Sequence, residues 1–439
     1  MPFEAIDPPL PDTATGPRRI AVIGGGISGM GAAHMLADDH RVTIFETEAR
    51  LGGHARTKIA GKNGDQPVDT GFIVFNYANY PHLAALFQEL DVPVVKSNMS
   101  FGASIDGGRL EYALMTMDSI FAQRRNLANP KFLRMLSDIL RFNNTATKIA
   151  QDRSLTIEGF LDKLGAGDYF RNYYLTPLSG AIWSTPVDKI LDFPAYSMID
   201  FFENHALLSH TGQHQWYTVE GGSIEYVRRL EASLISKRAD IRLNAAVQSV
   251  RRTGAGVEVK THGSDWEAFD EVIFATHSDD TLGMLSDPSA QESAALGAIH
   301  YQPNNIVLHA DASIMPKRRK TWASWVYAEE KDQKSERIDL TYWMNSLQPI
   351  PMDDPHFVTL NTARTIREDL IYDQVTLRHP VYDRGALAAQ EQVRGFNGTN
   401  NTWFCGAWMR HGFHEDGLSS AVDVVRGIRG AAEVALAAE

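Results

Sequence analysis

The sequence predicts an α/β fold, in which a βαβ unit near the N-terminus is interleaved with an α+β region containing a mixed or antiparallel sheet. Three observations carry that expectation. First, Arg19-Ile-Ala-Val-Ile-Gly24 is a β-branched run ending in glycines, helix formers follow from Ser28 to Asp38, and Arg41-Val-Thr-Ile-Phe-Glu46 makes a second strand. Second, Ile241–Leu243, Ala246–Arg251, Val257–Lys260 and Glu271–Phe274 read as short strands, separated by turn-like Thr-Gly-Ala-Gly and Gly-Ser-Asp, in the pattern of an antiparallel meander. Third, Asn305–His309, Trp322–Tyr327, Asp339–Asn345 and Phe357–Leu360 read as strands of one sheet.

At the N-terminal unit, Gly24-Gly25-Gly26-Ile27-Ser28-Gly29 fits G-x-G-x-x-G between a strand and a helix start. Gly24 permits the tight turn, Gly26 lets the backbone approach a pyrophosphate, and Gly29 lets helix and strand pack closely. The helix N-terminus offers free N–H groups and a positive dipole end to phosphates. Glu46, ending the second strand, is suited to accept hydrogen bonds from an adenosine ribose. This pattern points to a dinucleotide without separating NAD from FAD. Farther along, Met117 to Ala150 reads as helical, with Phe132, Met135, Leu136, Ile139 and Leu140 on one side and Lys131, Arg134, Asp138 and Arg141 on the other. Thr402–Trp408 reads as a closing strand and Leu418–Ala438 as a closing helix.

The 439 residues suffice for two or three domains, and 42 Lys+Arg against 54 Asp+Glu give a net charge of −12, which opposes binding to nucleic acid. The single cysteine, Cys405, rules out an internal disulfide and a Cys-based metal centre and fits a reducing, cytoplasmic compartment. No His and acidic residues show metal-ligand spacing, so no metal is expected. Met1–Pro17 lacks the features of a secretory signal and reads as a loose leader. The apolar stretch Ile20–Leu36 is broken by glycines and His34, so no membrane span is expected.

The continuation, Glu46-Thr-Glu-Ala-Arg50-Leu-Gly52-Gly53-His54 and then Val68-Asp69-Thr70-Gly71-Phe72, resembles the flavin-dependent amine oxidase superfamily, which includes monoamine oxidases, protoporphyrinogen oxidase and phytoene desaturase. The resemblance recurs at Val219-Glu-Gly221-Gly222-Ser223, Asn244-Ala-Ala-Val247, Phe274-Ala-Thr276-His277, Trp403-Phe-Cys-Gly406-Ala407-Trp408 and Gly417-Leu418-Ser419-Ser420-Ala421. It implies FAD, held by Gly24, Gly26, Ile27, Ser28, Gly29, Glu46, Arg50, Gly52, Gly53, His54, Asp69, Thr70, Gly71, Phe72, Val247, Gly406, Ala407, Gly417 and Leu418. It also implies a Rossmann-like FAD-binding domain from 18–75, 215–285 and 395–439, interleaved with a substrate domain from 76–214 and 286–394. His54 and Ala407 depart from the family's usual Arg and acidic residue. Cys405 lies inside the closing strand, not where covalent monoamine oxidases attach flavin, so non-covalent FAD is expected.

Leu51–His54, Val68–Asn76 and Gly412–Leu418 resemble a bacterial flavoprotein branch associated with methyltransferases similar to cyclopropane-fatty-acid synthase. That resemblance implies desaturation of a methylated unsaturated fatty acyl chain of a membrane phospholipid, with a functional link to a lipid methyltransferase. A flavin amine oxidase, and a redox-neutral flavin-bound isomerase or lipid-binding partner of a methyltransferase, are the alternatives. His414, Glu415 and Asp416 precede the expected flavin-facing helix and are the candidate catalytic groups, Asp416 doubling as a helix cap. Trp183, Tyr342 and Trp343 are candidate walls of an apolar tunnel, while His205, His300 and His309 read as structural. Two basic stretches, Arg124 to Arg141 and Lys317-Arg318-Arg319-Lys320 beside Trp322, are candidate contacts with an anionic membrane, which would make the protein peripheral on the inner face of the cytoplasmic membrane.

Overall fold

The computed structural model describes residues 16–183, 189–205, 207–208, 214–331 and 338–437, with backbone only at 189 and 431–437. Residues 1–15 of the expected leader lie outside the described residues.

A parallel five-stranded sheet runs in the order Thr402–Phe404, Glu271–Phe274, Arg19–Ile23, Arg41–Phe45, Asp240–Arg242. Its central strand, Ile20 to Ile23, is buried on both faces, which explains an unbroken β-branched run where a half-exposed strand would alternate. Helices Ile27–Leu36, Ile224–Ser236 and His414–Ala437 share one core with this sheet. On the other side lies a three-stranded antiparallel sheet, Val247–Thr253, Gly256–Thr261 and Glu267–Phe269. The expected meander is therefore smaller than its sequence signal: Ile241 and the fully buried Glu271–Phe274 strand join the parallel sheet.

A seven-stranded mixed sheet runs in the order Ile371–Val381, His300–His309, Phe357–Leu360, Leu340–Trp343, Trp325–Glu329, Phe101–Ile105, Leu110–Ala113, with one parallel pairing between Trp325–Glu329 and Phe101–Ile105. The hairpin Phe101–Ala113 and the edge strand Ile371–Val381 extend the sheet beyond the four expected strands. Ala60 and Val68, from the hairpin Thr57–Asp69, pack into this sheet's core.

The stretch Met117–Ala150 is not one helix. It comprises Met117–Ile120, a 3₁₀ turn Arg124–Ala128 and the helix Pro130–Ile149. Asn129 breaks it: its side chain accepts from the amides of Lys131 (3.1 Å) and Phe132 (3.3 Å), and Pro130 supplies the preset first helical position. The core face is Phe132, Met135, Asp138, Phe142 and Ala146, so Asp138 is buried, bonded to Arg141 and to the Gly167 amide (2.9 Å), while Leu140 faces out. Phe142 packs edge-on against Phe160 and Phe202. Among the described residues no helix is long and apolar enough to cross a membrane.

Candidate active site

A cavity of about 730 Å³ opens at the carboxyl ends of the parallel strands and continues along the seven-stranded sheet. In open parallel sheets this end is where ligands bind. At its first end two glycine loops meet. Gly52 N–H donates to the Gly25 carbonyl (2.8 Å), and the nearest atom to a methyl group built on Gly26 is Gly53 Cα, 4.0 Å away. Helix Ile27–Leu36 has no capping side chain and no acidic residue in its first turn, so its N-terminal amides stay available to an anion. Glu46 accepts from the Gly25 amide (2.7 Å) and the Glu48 amide (2.8 Å), which fixes its carboxylate beside the loop. Arg50 donates to the carbonyls of Leu51, Gly53 and Ala55 at 3.0 to 3.2 Å, so it shapes the Gly52-Gly53 turn, whose φ values are +108° and +52°. These open glycine faces and free amides fit the pyrophosphate of FAD, and Glu46 fits its ribose.

The middle of the cavity holds four histidines that sequence reasoning only partly singled out. His54 lies 5.7 Å, ring centre to ring centre, from both His277 and His379, and His414 stacks on Phe72 at 4.0 Å. The tautomers of two are set by their partners. The Asn305 amide donates to Asn361 Oδ1, Asn361 Nδ2 to Asn304 Oδ1, and Asn304 Nδ2 to His379 Nδ1 (2.7 Å), leaving the His379 proton on Nε2. His54 Nε2 faces the Arg378 carbonyl (3.2 Å) and so carries its proton there, leaving Nδ1 as an acceptor. Burial pushes His54 down from its ordinary value and pushes His277, His379 and His414 each down to about 3, so the cluster is neutral at pH 7. Asp279 and Asp280 beside His277 are occupied by Arg378, at 2.6 and 2.5 Å. His379 carried no sequence motif; only its strand register could have found it.

The far end is apolar, with walls that include Phe101, Tyr174, Trp183, Trp325, Tyr342 and Leu360. Among the described residues the carboxylates bordering the cavity are Glu46, Glu48 and Asp280, all at its nucleotide end or tied to Arg378.

The structure brings Gly24, Gly26, Ile27, Ser28, Glu46, Arg50, Gly52, Gly53, His54, Thr70, Gly71, Phe72, Gly406, Ala407, His414, Trp183 and Tyr342 to this cavity. Other candidates lie elsewhere. Gly29 is a packing glycine, since a methyl group there would sit 1.9 Å from the Gly24 carbonyl oxygen. Asp69 is consumed by Thr57, Ser223 and Gln348, with burial raising it to about 6, and it ties two loops together. Val247 begins a strand of the antiparallel sheet, Gly417 abuts Ser28 and Ile27, and Leu418 packs over Gly31. Trp343 falls on the opposite face of its strand from Tyr342, under Arg319 and edge-on to Trp322. Glu415 accepts from the amides of His82 (3.0 Å) and Leu83 (2.9 Å) at the start of helix Pro81–Glu89, and Asp416 from those of His411 (3.2 Å) and Phe413 (2.9 Å). Neither borders the cavity, so of the three candidate catalytic groups only His414 does, with Nε2 2.6 Å from the Tyr226 hydroxyl. His205 also borders it, its Nδ1 bonded to the Phe201 carbonyl (2.9 Å), whereas His309 is tied to Thr359 and Asp311. The basic run is likewise spoken for: the Lys317 ammonium donates to the Gly107 carbonyl, Arg318 binds Glu111, Lys320 binds Asp118, and Arg319 lies over Trp322.

The chain matches solved structures over nearly its whole length. A CLA-producing fatty acid isomerase from P. acnes is 15% identical with a TM-score of 0.66, covering 93% of this chain and 98% of that one. Cyclohexylamine oxidase from Brevibacterium oxydans is 14% identical with a TM-score of 0.67, covering 95% and 100%. At these identities the likeness shows the fold. Coproporphyrinogen III oxidase of Mycobacterium tuberculosis is 42% identical over 78 residues, 17% of this chain and 16% of the relative, so the chain aligns with only a small part of that protein's length. The family model for flavin containing amine oxidoreductases matches residues 27–369, most of the chain. With that match added to the glycine loops and the cavity they open, the chain belongs to the flavin containing amine oxidoreductase family and is an FAD-dependent oxidoreductase.

Proposed function

We propose that this oxidoreductase is a desaturase of an unsaturated fatty acyl chain, methylated in the form it meets in the cell. The observation that carries the reading is the apolar end of the cavity, walled by aromatic and aliphatic side chains and bordered, among the described residues, by no carboxylate that would hold a substrate ammonium group. Burying an ammonium there without a partner is costly, whereas an alkyl chain gains by leaving water. When bound, FAD supplies a two-electron hydride acceptor. The acyl chain would lose a hydride from an allylic carbon to FAD and a proton from the adjacent carbon to a neutral histidine of the cavity, and a second double bond would form in conjugation with the first. Trp183 and Tyr342 position the chain, and the neutral histidines give the middle of the cavity hydrogen-bonding groups without fixed charge. The methyl branch is the product of a lipid methyltransferase, which places that class of enzyme upstream.

The test is anaerobic mixing of the FAD-loaded protein with unsaturated or methyl-branched phospholipids and, separately, with amines, while flavin absorbance is followed. Bleaching by the lipids supports the reading. Bleaching only by amines replaces it with amine oxidation, and lipid conversion without bleaching replaces it with isomerisation.

FAD is held without a covalent bond in this reading. Cys405 is buried in the core, and burial pushes its thiol up to about 12, so it is inert as an attachment point. Acid denaturation is expected to release all flavin into the supernatant; flavin retained in the pellet contradicts this.

A further inference from the structure

Five of the exposed large apolar side chains fall within one short stretch: Met115 (45% exposed), Met117 (69%), Leu127 (54%), Leu133 (41%) and Leu140 (51%). At 100° per residue, Leu133 and Leu140 share a face of helix Pro130–Ile149 and point away from Phe132, Met135 and Phe142, which anchor it in the core. The helix thus has a second apolar stripe turned toward solvent, which nothing among the described residues covers.

The charge around that stripe is opposite to that of the molecule. From Met115 to Ala150 the chain carries Arg124, Arg125, Lys131, Arg134, Arg141 and Lys148 against only Asp118 and Asp138, in a protein whose net charge is −12. Both acids are already neutralised, Asp118 by Arg124 and Lys320 and Asp138 by Arg141. Among the described residues Arg125, Lys131 and Lys148 enter no ion pair, Arg125 donating only to the Arg109 carbonyl, so their charges stay uncompensated. An apolar ridge beside unpaired cations suits a surface with anionic headgroups over an apolar interior.

The ridge is also continuous with the cavity. Leu114 borders the cavity while its neighbour Met115 faces out. Phe142, on the inner side of helix Pro130–Ile149, packs on Phe170 and Phe202, in the layer that supplies Tyr174, Leu178 and Trp183 to the cavity wall. We propose that the ridge Met115–Leu140 docks the protein on an anionic phospholipid bilayer, seating the helical wall of the cavity on the membrane surface. This deepens the acyl-chain reading and rests on it for its purpose, but the docking itself is measurable without turnover. The run Lys317–Lys320 does not provide the contact, because Arg318 and Lys320 are paired with Glu111 and Asp118, Arg319 lies over Trp322, and the Lys317 ammonium donates to the Gly107 carbonyl.

The experiment is co-sedimentation of the FAD-loaded, full-length protein with vesicles of phosphatidylglycerol and phosphatidylcholine, or of phosphatidylcholine alone. Binding is expected only with the anionic vesicles, weakening as salt rises. The double variant Leu133→Ser/Leu140→Ser is expected to lose at least about tenfold in affinity, as is Arg125→Gln/Lys131→Gln/Lys148→Gln, with flavin content and melting temperature kept. Ile235→Ser, which removes a still more exposed apolar side chain on another helix, is expected to change nothing. Undiminished binding by the Leu133/Leu140 variant overturns the proposal. So does absence of vesicle binding with a concentration-dependent dimer that this variant abolishes, which would assign the ridge to a second copy. Vesicle binding without flavin bleaching by the lipid leaves the docking standing and removes the acyl-substrate reading instead.

Discussion

Gly26 and Gly29 lie three residues apart, and a methyl group distinguishes what each does. On Gly26 it would meet open space with Gly53 Cα at 4.0 Å, and on Gly29 it would meet the Gly24 carbonyl oxygen at 1.9 Å. Gly26→Ala is therefore expected to leave the FAD-free protein's melting temperature nearly unchanged and to weaken FAD binding by about tenfold or more, because the methyl group fills the approach to the pyrophosphate. Gly29→Ala is expected to cost about 1–3 kcal/mol of stability by overpacking the strand–helix contact. Calorimetry of the apo-protein and titration with FAD separate the two. The glycine pattern named both residues, and its spacing assigned the two roles before any coordinates. Tyr342 and Trp343 show the opposite limit. Both are large aromatics, and a strand's period of two sends them to opposite faces, but which face borders a cavity is settled by the neighbouring strands.

At the scale of elements, the closing helix carries groups that look catalytic in sequence and act as fasteners. Glu415 caps helix Pro81–Glu89 from another helix, supplying the acceptor that Tyr80, at the cap position, does not. Glu415→Ala is expected to cost about 1–2 kcal/mol in urea denaturation while leaving the anaerobic rate of flavin reduction unchanged. A fall in that rate at full stability would return Glu415 to the chemistry. No local pattern announces a cap whose donor and acceptor are more than three hundred residues apart, as His82 and Glu415 are. Reading Met117 to Ala150 as one helical stretch misses the break at Asn129-Pro130, although a capping side chain before a proline marks a helix start. The hairpin Phe101–Ala113 was harder because its strands are buried almost throughout and carry no period-two contrast, and the edge strand Ile371–Val381 because polar residues such as Asp373 fall on its less exposed face.

Across the whole molecule, burial of ionisable groups sets the pH dependence of stability. Burial holds His277, His379 and His414 at about 3 and His205 and His309 at about 4, against an unfolded value of 6.5. Below pH 6.5 the unfolded chain binds protons that the native chain refuses, so stability falls with acidification until those lower values are reached. Asp69 and Asp416, raised from 3.8 to about 6, act in the opposite sense: between pH 6 and 4 the native chain takes up protons that the unfolded chain does not, which favours the native state as pH falls. Five groups oppose two, so the melting temperature of the FAD-free protein is expected to drop between pH 7 and pH 5; a flat or rising profile contradicts the burial of the histidine cluster. Two of the three stretches that build the parallel sheet were legible because the βαβ unit and the closing strand carry family motifs, whereas the strands of the middle stretch, Asp240–Arg242 and Glu271–Phe274, read as part of an antiparallel meander. The cavity was not legible, since its walls come from strands and helices whose packing no single stretch encodes.

The central claim is that the apolar end of the cavity takes an acyl chain that FAD oxidises. Its most direct test is an anaerobic single turnover of the FAD-loaded protein with an unsaturated phospholipid, recording flavin bleaching and diene absorbance together. One conjugated diene formed for each flavin reduced is the expected result; flavin that stays oxidised with every unsaturated lipid offered, and bleaches with an amine, contradicts it.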